Sequence, residues 1–524
     1  MFLKSKFLIV IVVCFLFENV QSLAQDRNFY IYLCFGQSNM QGTGLIQNQD
    51  KTVDNRFKVF QALDCSNLNR KKATWYTAVP PTCQCYSGLS PADYFGRTMV
   101  ANLPDSITVG IINVSIAGCD IRLFDKDIYM NYDSTYKDSW FTSLVAGYNW
   151  NPYQYLIDLA KQAQKDGVIK GILLHQGETN TGQVQWLSYV KKIYNDMIAD
   201  LSLNANSVPL LAGEVLSVAG NCCSGMNSII KRLPDTIPTA HIISSGSLTG
   251  QDGAHFDSPG YRKFGKRYGV EMLSLIGYKT EYAEAECGTV GADLKILTDE
   301  NVSNSAYVMS VEAVPASNDS NIVKMDISLS ADTAWYLYGR FKTINTSPKS
   351  FWLKIDNGKF ELFNGLTTQG WEWIEIKKLK LTEGNHSISI AFTEENVLLD
   401  KIAVKNAPIK PFDTGEEAKN LCKANTTTSV NELNADGYEL EQCYPNPASN
   451  SKVVITFKIP KTSFVSLKIC NSQGKVIDKP VGKTYYAGNH VVEYNTVKLK
   501  PGIYFYTMQA DKFNATRKLV IPTR

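Results

Sequence analysis

Histidine is scarce in this chain, with five among 524 residues. Any chemistry that needs an imidazole must draw on that short list. An excess of one charge is also missing: 53 Lys and Arg against 50 Asp and Glu leave a formal net charge of +3. That balance argues against nucleic acid or an anionic membrane surface as partner. After residue 24 no apolar run approaches the roughly 20 residues of a membrane-spanning helix, so no transmembrane segment is expected in the mature chain. No internal tandem repeat is visible. Cys83-Gln84-Cys85 and Cys222-Cys223 lack the paired spacing of a zinc site and read as disulfide material in loops.

What is present is ordinary for soluble globular protein, 44% hydrophobic and 20% charged, and the length suggests two to four domains. The first residues read as an export signal, residues 1–24. Lys4 and Lys6 supply the positive start, Phe7 to Phe17 the apolar run, and Ser22-Leu23-Ala24 the small residues for cleavage. Twelve cysteines fit an oxidising compartment. Without Cys14, inside the signal, eleven remain, so at least one thiol is left without a partner among them.

From 25 to 280 apolar, strand-like runs alternate with amphipathic helical stretches. Phe29–Phe35, Thr108–Val114, Lys170–Leu174 and Val208–Ala212 read as buried strands. Pro152–Asp166 and Gln183–Leu201 read as helices. Ser258-Pro259, a cap followed by proline, announces a last helix reaching about Ile276. This alternation predicts an α/β fold with a parallel sheet covered by helices. From 281 to 406 short alternating segments predict a β-sandwich. Residues 407–436, broken by Pro408, Pro411, Gly415 and Thr426-Thr427-Thr428, read as a linker. Residues 437–524 return to short strands and predict a small C-terminal sandwich.

The first predicted strand runs into Gly36-Gln37-Ser38-Asn39-Met40. A serine just past a parallel strand sits where active sites of open sheets form, although a turn or cap serine would look the same. Two further loops also follow strands: Ser115-Ile116-Ala117-Gly118-Cys119, and His175-Gln176-Gly177-Glu178. Both should meet Ser38 in one crevice. The N–H groups of Ser38 and Gly118, with the side-chain amide of Gln176, could then form a three-donor oxyanion hole. Gln37, Asn39, His175 and Glu178 are read as substrate-contacting or supporting residues. His386 and His490 fall in the β-rich blocks, and His241 reads as a satisfied packing residue. His255 remains as the base, with Asp252 three residues ahead to accept its ring N–H. Asp257 is given the helix-capping role instead.

These blocks, in this order, resemble the SGNH hydrolase superfamily, and more narrowly carbohydrate esterase family 6 and the sialic-acid-specific acetylesterases. The carriers are Gly36-Gln37-Ser38-Asn39-Met40, Ala117-Gly118-Cys119-Asp120-Ile121, Gln176-Gly177-Glu178 and Asp252-Gly253-Ala254-His255-Phe256-Asp257. The resemblance covers roughly 28–277. It implies a three-layer α/β/α fold, no catalytic cofactor and an acetyl-enzyme intermediate. It also implies Ser38 as nucleophile, His255 as base, Asp252 as its orienter, and Ser38, Gly118 and Gln176 as oxyanion donors. Ala117 stands where relatives often carry a second glycine.

The second block is similar to carbohydrate-binding modules of families 6 and 35, on Glu284-Ala285-Glu286, its Trp/Tyr-rich segments and Leu398-Leu399-Asp400-Lys401-Ile402. That likeness implies a structural Ca²⁺ held by Glu284, Glu286 and Asp400, since hard carboxylate oxygens suit the ion; plain surface acids are the other reading. Trp335, Tyr336, Trp352, Trp371 and Trp373 divide between core and sugar-binding surface in a way the sequence does not reveal. The last block resembles the sorting domain of type IX secretion, on Tyr444-Pro445-Asn446-Pro447, Asn471-Ser472-Gln473-Gly474 and Pro501-Gly502-Ile503-Tyr504-Phe505-Tyr506. This implies the type IX machinery as partner and a secreted or surface-attached protein. The expected activity is removal of acetyl groups from a polysaccharide, acetylated xylan first and O-acetylated sialic acid second. A non-catalytic glycan-binding surface protein is the reading from another class.

Overall fold

A central strand buried on both faces sets the architecture of the first domain. β1 (Asp26–Gly36) sends Ile31, Leu33 and Phe35 into one apolar cluster and Tyr32 and Cys34 into another. A strand covered on both sides needs such an unbroken apolar run. The computed structural model describes residues 25–522, apart from 134–138, 219–221, 300, 312–318, 345–346, 421, 423–437, 441–442, 444–445, 447, 449–451, 472–474 and 512. The expected export signal, Thr426-Thr427-Thr428, and most of the Tyr444–Pro447 and Asn471–Gly474 motifs lie outside the described residues.

β1 lies in the middle of a seven-stranded sheet with β2 (Phe57–Phe60), β3 (Trp75–Thr77), β4 (Thr108–Ser115), β5 (Gly167–His175), β6 (Leu210–Gly213) and β7 (Ala240–Ile243). The order is β3-β2-β4-β1-β5-β6-β7. All pairings are parallel except β2 with β3. The helices are α1 (Ser38–Gln41), α2 (Pro91–Ala101), α3 (Tyr129–Asp133), α4 (Ser139–Ala146), α5 (Pro152–Ala163), α6 (Trp186–Asp200), α7 (Asn227–Ile230) and α8 (Ser258–Leu275). Tyr153 and Leu156 of α5 and Trp186 and Ile193 of α6 cover one face of the sheet. Phe95 and Met99 of α2 and Tyr261, Phe264 and Tyr268 of α8 cover the other. Each such side chain, fully buried, contributes about 1.5–3 kcal/mol. The expected three layers are therefore present. α8 begins at Ser258, one residue earlier than the Ser258-Pro259 signal alone suggested, and Asp257 takes the capping role given to it, accepting the Gly260 N–H at 2.7 Å.

The chain reverses its order on either side of β1, with β4 on one flank and β5 on the other. The carboxyl ends of these three strands bound one crevice, the place where open α/β sheets bind ligands.

Residues 280–405 form two antiparallel sheets around Trp335, Phe341, Phe351 and Ile390. The stretch expected as a linker from 407 does not begin as one. Trp373 Nε1 donates to Asp413 O at 2.9 Å, Lys401 Nζ donates to Glu416 O at 2.7 Å, and Cys422 is joined to Cys287. Glu417 accepts from Arg267 Nε of α8 at 2.7 Å. The division between compact units falls between Ala424 and Asn425. The stretch read as flexible is here held by side-chain bonds to the backbone of Asp413 and Glu416. The second unit packs two antiparallel sheets around Phe457, Leu467, Tyr506 and Leu519. Among the described residues no helix is long and apolar enough to cross a membrane.

Lys405, at the end of the sandwich's last strand, reaches the first domain and donates to Asn102 Oδ1 at 2.7 Å while 2% exposed. Burial pushes its ammonium down to about 8, against a partial opposing pull from Glu416. The unfolded chain then binds a proton between about 8 and the ordinary 10.5 that the folded chain does not, so stability rises with pH across that window. Thermal melts of wild type and Lys405→Met between pH 7.5 and 10.5 check this. The rise belongs to the wild type and should be missing from the variant.

Candidate active site

The turn after β1 exists because its first residue is glycine. Gly36 has φ +147°, and a Cβ there would lie 2.0 Å from the His175 carbonyl oxygen at the end of β5. Gln37 N donates to that same oxygen at 3.0 Å. The close approach of β1 to β5 starts α1 at Ser38, whose side chain points into the crevice.

His255 reaches Ser38 from the loop before α8. The Ser38 hydroxyl lies 2.9 Å from His255 Nε2, and His255 Nδ1 lies 2.8 Å from Asp252 Oδ2. A carboxylate at Nδ1 holds the ring proton there, leaving the Nε2 lone pair to accept from the serine O–H. Asp252 Oδ1 is separately engaged, accepting the N–H groups of Ala254 at 2.8 Å and His255 at 2.7 Å. Partial burial works to raise the Asp252 carboxyl; those amides and the His255 ring outweigh it, so it stays below its usual range. Hydrogen bonds to a carboxylate favour its charged form. Asp252 is therefore held in its anionic form.

Gly118 follows β4 with φ +75°, a conformation that suits glycine. Among the described residues neither the Ser38 N–H nor the Gly118 N–H has an acceptor. Two amide donors are thus available in the crevice. Gln176 is placed differently from the expectation. Its side chain is 1% exposed, and its Nε2 faces Gln37 Oε1 at 3.0 Å, Cys119 O at 3.1 Å and Asn180 Oδ1 at 2.6 Å. Its Oε1 accepts from Trp186 Nε1. Two amide protons meeting three acceptors leave none aimed at substrate. Gln176 ties the three loops together; its partners Asn180 and Trp186 are not visible as a pattern from Gln176 itself.

Asn39 is the residue whose weight the sequence understated. Its Oδ1 accepts from Tyr261 Oη at 2.5 Å and from Phe256 N at 3.3 Å. Its Nδ2 donates to Ala254 O at 3.0 Å and to Glu178 Oε1 at 2.6 Å. The residue after the serine thus grips both neighbours of His255 in the chain. Asn39→Ala should lower kcat for an acetyl ester by about 10²-fold, the scale of an ångström-size misplacement of a reacting group, with KM little changed. Steady-state kinetics with a melting curve as folding control checks this, and an unchanged kcat refutes the clamp.

The other supporting residues follow the same logic. Gln37 Oε1 accepts from Gln176 and lies 3.4 Å from the N–H groups of Gly177 and Thr179. His175 is fully buried, bonds Glu214 O through Nε2 at 3.1 Å and stands edge-on to Phe256 and Phe264. It is a packing residue behind the site. His241 pairs with Glu271 at 2.9 Å on the surface. The loop of His255 is also held by Cys222 N, which donates to Gly253 O at 2.9 Å. Cys222 is bonded to Cys223 and Cys65 to Cys85. Cys83, read with Cys85 as disulfide material, is instead a buried thiol facing Ser115 O and Tyr148 Oη.

In the sandwich, Glu284, Glu286 and Asp400 are all buried. Strand register sets Lys401 across from Glu284 and Arg340 across from Lys401. Arg340 Nη1 meets Asp400 Oδ2 at 2.6 Å, Lys401 Nζ meets Glu284 Oε1 at 3.1 Å, and Asn304 Nδ2 donates to Glu286 Oε1 at 2.8 Å. Among the described residues one oxygen of Glu284 and one of Glu286 are buried without a partner. The three carboxylates do not converge on one point: among the described residues the cluster at ligand spacing is Glu286 with Cys287 and Cys422, whose sulfurs form a disulfide. Calcium takes six to eight oxygens, and this arrangement does not fit that shell. Of the aromatics, Trp335 and Trp373 are core, whereas Tyr336, Trp352 and Trp371 are partly exposed. Trp371 stands edge-on to Tyr307, with Arg340 over its ring at 5.6 Å.

Comparison with known proteins finds matches over separate parts of the chain. Residues 28–274 match the family described as carbohydrate esterase, sialic acid-specific acetylesterase. Residues 442–522 match the secretion system C-terminal sorting domain, the mark of type IX export and attachment at the cell surface. Among solved structures, an Arabidopsis thaliana protein is 15% identical, with 47% of this chain and 98% of that chain covered and a TM-score of 0.36. A carbohydrate acetylesterase from Xanthomonas citri is 13% identical over 72% and 78%, with a TM-score of 0.35. A family 35 carbohydrate binding module from Clostridium thermocellum is 19% identical over 24% and 97%, with a TM-score of 0.20.

Proposed function

We propose that this chain, a secreted carboxylic-ester hydrolase whose residues 28–274 form a carbohydrate esterase domain, removes acetyl groups from polysaccharide through an acyl-enzyme on Ser38. The observation that carries the proposal is the unbroken relay of 2.8 and 2.9 Å contacts from Asp252 through His255 to the Ser38 hydroxyl. Ser38 Oγ attacks the acetyl carbonyl as its proton passes to His255 Nε2. The Ser38 and Gly118 N–H groups receive the oxyanion. The tetrahedral adduct collapses, the C–O bond to the sugar breaks, and His255 returns the proton to the leaving sugar oxygen. Water then repeats the sequence and releases acetate. Asp252 stays ionised and offsets the positive charge on the ring. No step requires a cofactor.

The sandwich supports a polymeric substrate. Partly exposed Trp352 offers aromatic surface for sugar, and a binding module tethered to a polymer raises the local concentration of acetyl groups. Acetylated xylan is the proposed substrate, with O-acetylated sialic acid the alternative. The C-terminal block is proposed to engage the type IX secretion machinery. Acetate release from both substrates, by wild type and by Ser38→Ala, tests the reading. Faster Ser38-dependent release from xylan supports it. Preference for the sialic acid ester transfers the assignment to the alternative, and no release from either removes it.

A further inference from the structure

We infer that Trp140, on the rim of the crevice, is the sugar platform of the esterase site and decides how well a carbohydrate ester is used relative to a small one. The inference rests on the deacetylase reading above and names a specificity residue for it. Trp140 is the second residue of α4 and is 50% exposed, unusual for the largest side chain beside a polar cleft. Its neighbour Phe141 is fully buried and stands edge-on to the indole at 5.8 Å, so the helix is anchored while the ring stays at the surface.

The ring is placed against the oxyanion loop. A Cβ built on Gly118 would meet the indole Cη2 at 3.0 Å. The α-carbon of the residue that offers one oxyanion donor therefore faces the edge of the indole. Thr179 Oγ1 donates at 3.2 Å to Gly118 O, in the peptide unit that follows, so the loop is held by a bond that Trp140 does not make. An acetyl oxygen received by Gly118 N–H brings the sugar ring, one ester linkage away, within reach of an exposed aromatic face. Sugars offer C–H groups on such faces, and an indole gives contact area at small entropy cost. A chromogenic leaving group does not require this face for alignment.

The test compares Trp140→Ala and Trp140→Phe with wild type on acetylated xylo-oligosaccharide and on p-nitrophenyl acetate, each with a melting curve. Trp140→Ala should lose about 10-fold in kcat/KM on the oligosaccharide, mainly through KM, and stay within about twofold on the small ester. Trp140→Phe should recover most of the loss. Equal losses on both esters, or none on either, overturn the inference while Ser38→Ala remains inactive on both. Activity surviving Ser38→Ala on both esters places the failure in the deacetylase reading, and the inference falls with it.

Discussion

Ser38→Ala should lower kcat for a chromogenic acetyl ester by about 10⁴-fold or more and leave the melting temperature within a degree or two. The substitution removes the nucleophilic oxygen and nothing that holds the crevice. Among the described residues the Ser38 side chain has one partner, His255 Nε2, while the Ser38 and Gly118 N–H donors belong to the backbone and survive. A small residual rate above water is expected from those donors. Full activity in the variant would mean that another group attacks the ester.

Asp252→Asn should cost about 10⁴-fold in kcat as well, for a reason visible in how Asp252 divides its oxygens. Oδ1 accepts the N–H groups of Ala254 and His255 and lies 3.1 Å from the ring Nδ1, while Oδ2 is the nearer oxygen to that nitrogen at 2.8 Å. An asparagine keeps its carbonyl on the two backbone donors and turns its NH₂ toward Nδ1. The ring must then carry its proton on Nε2, opposite Ser38, where it cannot accept another. Geometry is preserved and the base is lost. Because the wild-type carboxyl lies below its usual range, Asp252 protonation should not be what lowers wild-type activity on the acid side. A pH–rate profile of both proteins checks the pair of statements: a near-normal kcat in Asp252→Asn contradicts the tautomer argument.

Much of the fold was legible because the sheet is buried on both faces. Continuous apolar runs such as Phe29–Phe35 have no other stable place, and the strand–loop boundaries then locate Ser38, Gly118 and Gln176 at one end. What the sequence hid were interactions whose partners come from elsewhere in the chain. Gln176 looked like a donor to substrate, yet Trp186 and Asn180 turn its amide inward. Asn39 looked like an accessory, yet it holds Ala254 and Phe256 on either side of His255. The Glu284, Glu286 and Asp400 pattern suggested a cation, and two of those carboxylates meet cations that the sandwich itself supplies, Arg340 and Lys401. The supposed linker shows the same limit of composition: polar, proline-broken sequence can be a fixed strap when side chains bond its backbone.

The central claim is that the Ser38 oxygen forms the covalent intermediate. Mass spectrometry of the protein treated with a fluorophosphonate ester tests it most directly. One adduct per chain, on the peptide containing Ser38 and slowed strongly in Asp252→Asn, is the predicted result. Esterase activity that persists with Ser38 unlabelled, or an adduct carried by a different residue, would contradict the account.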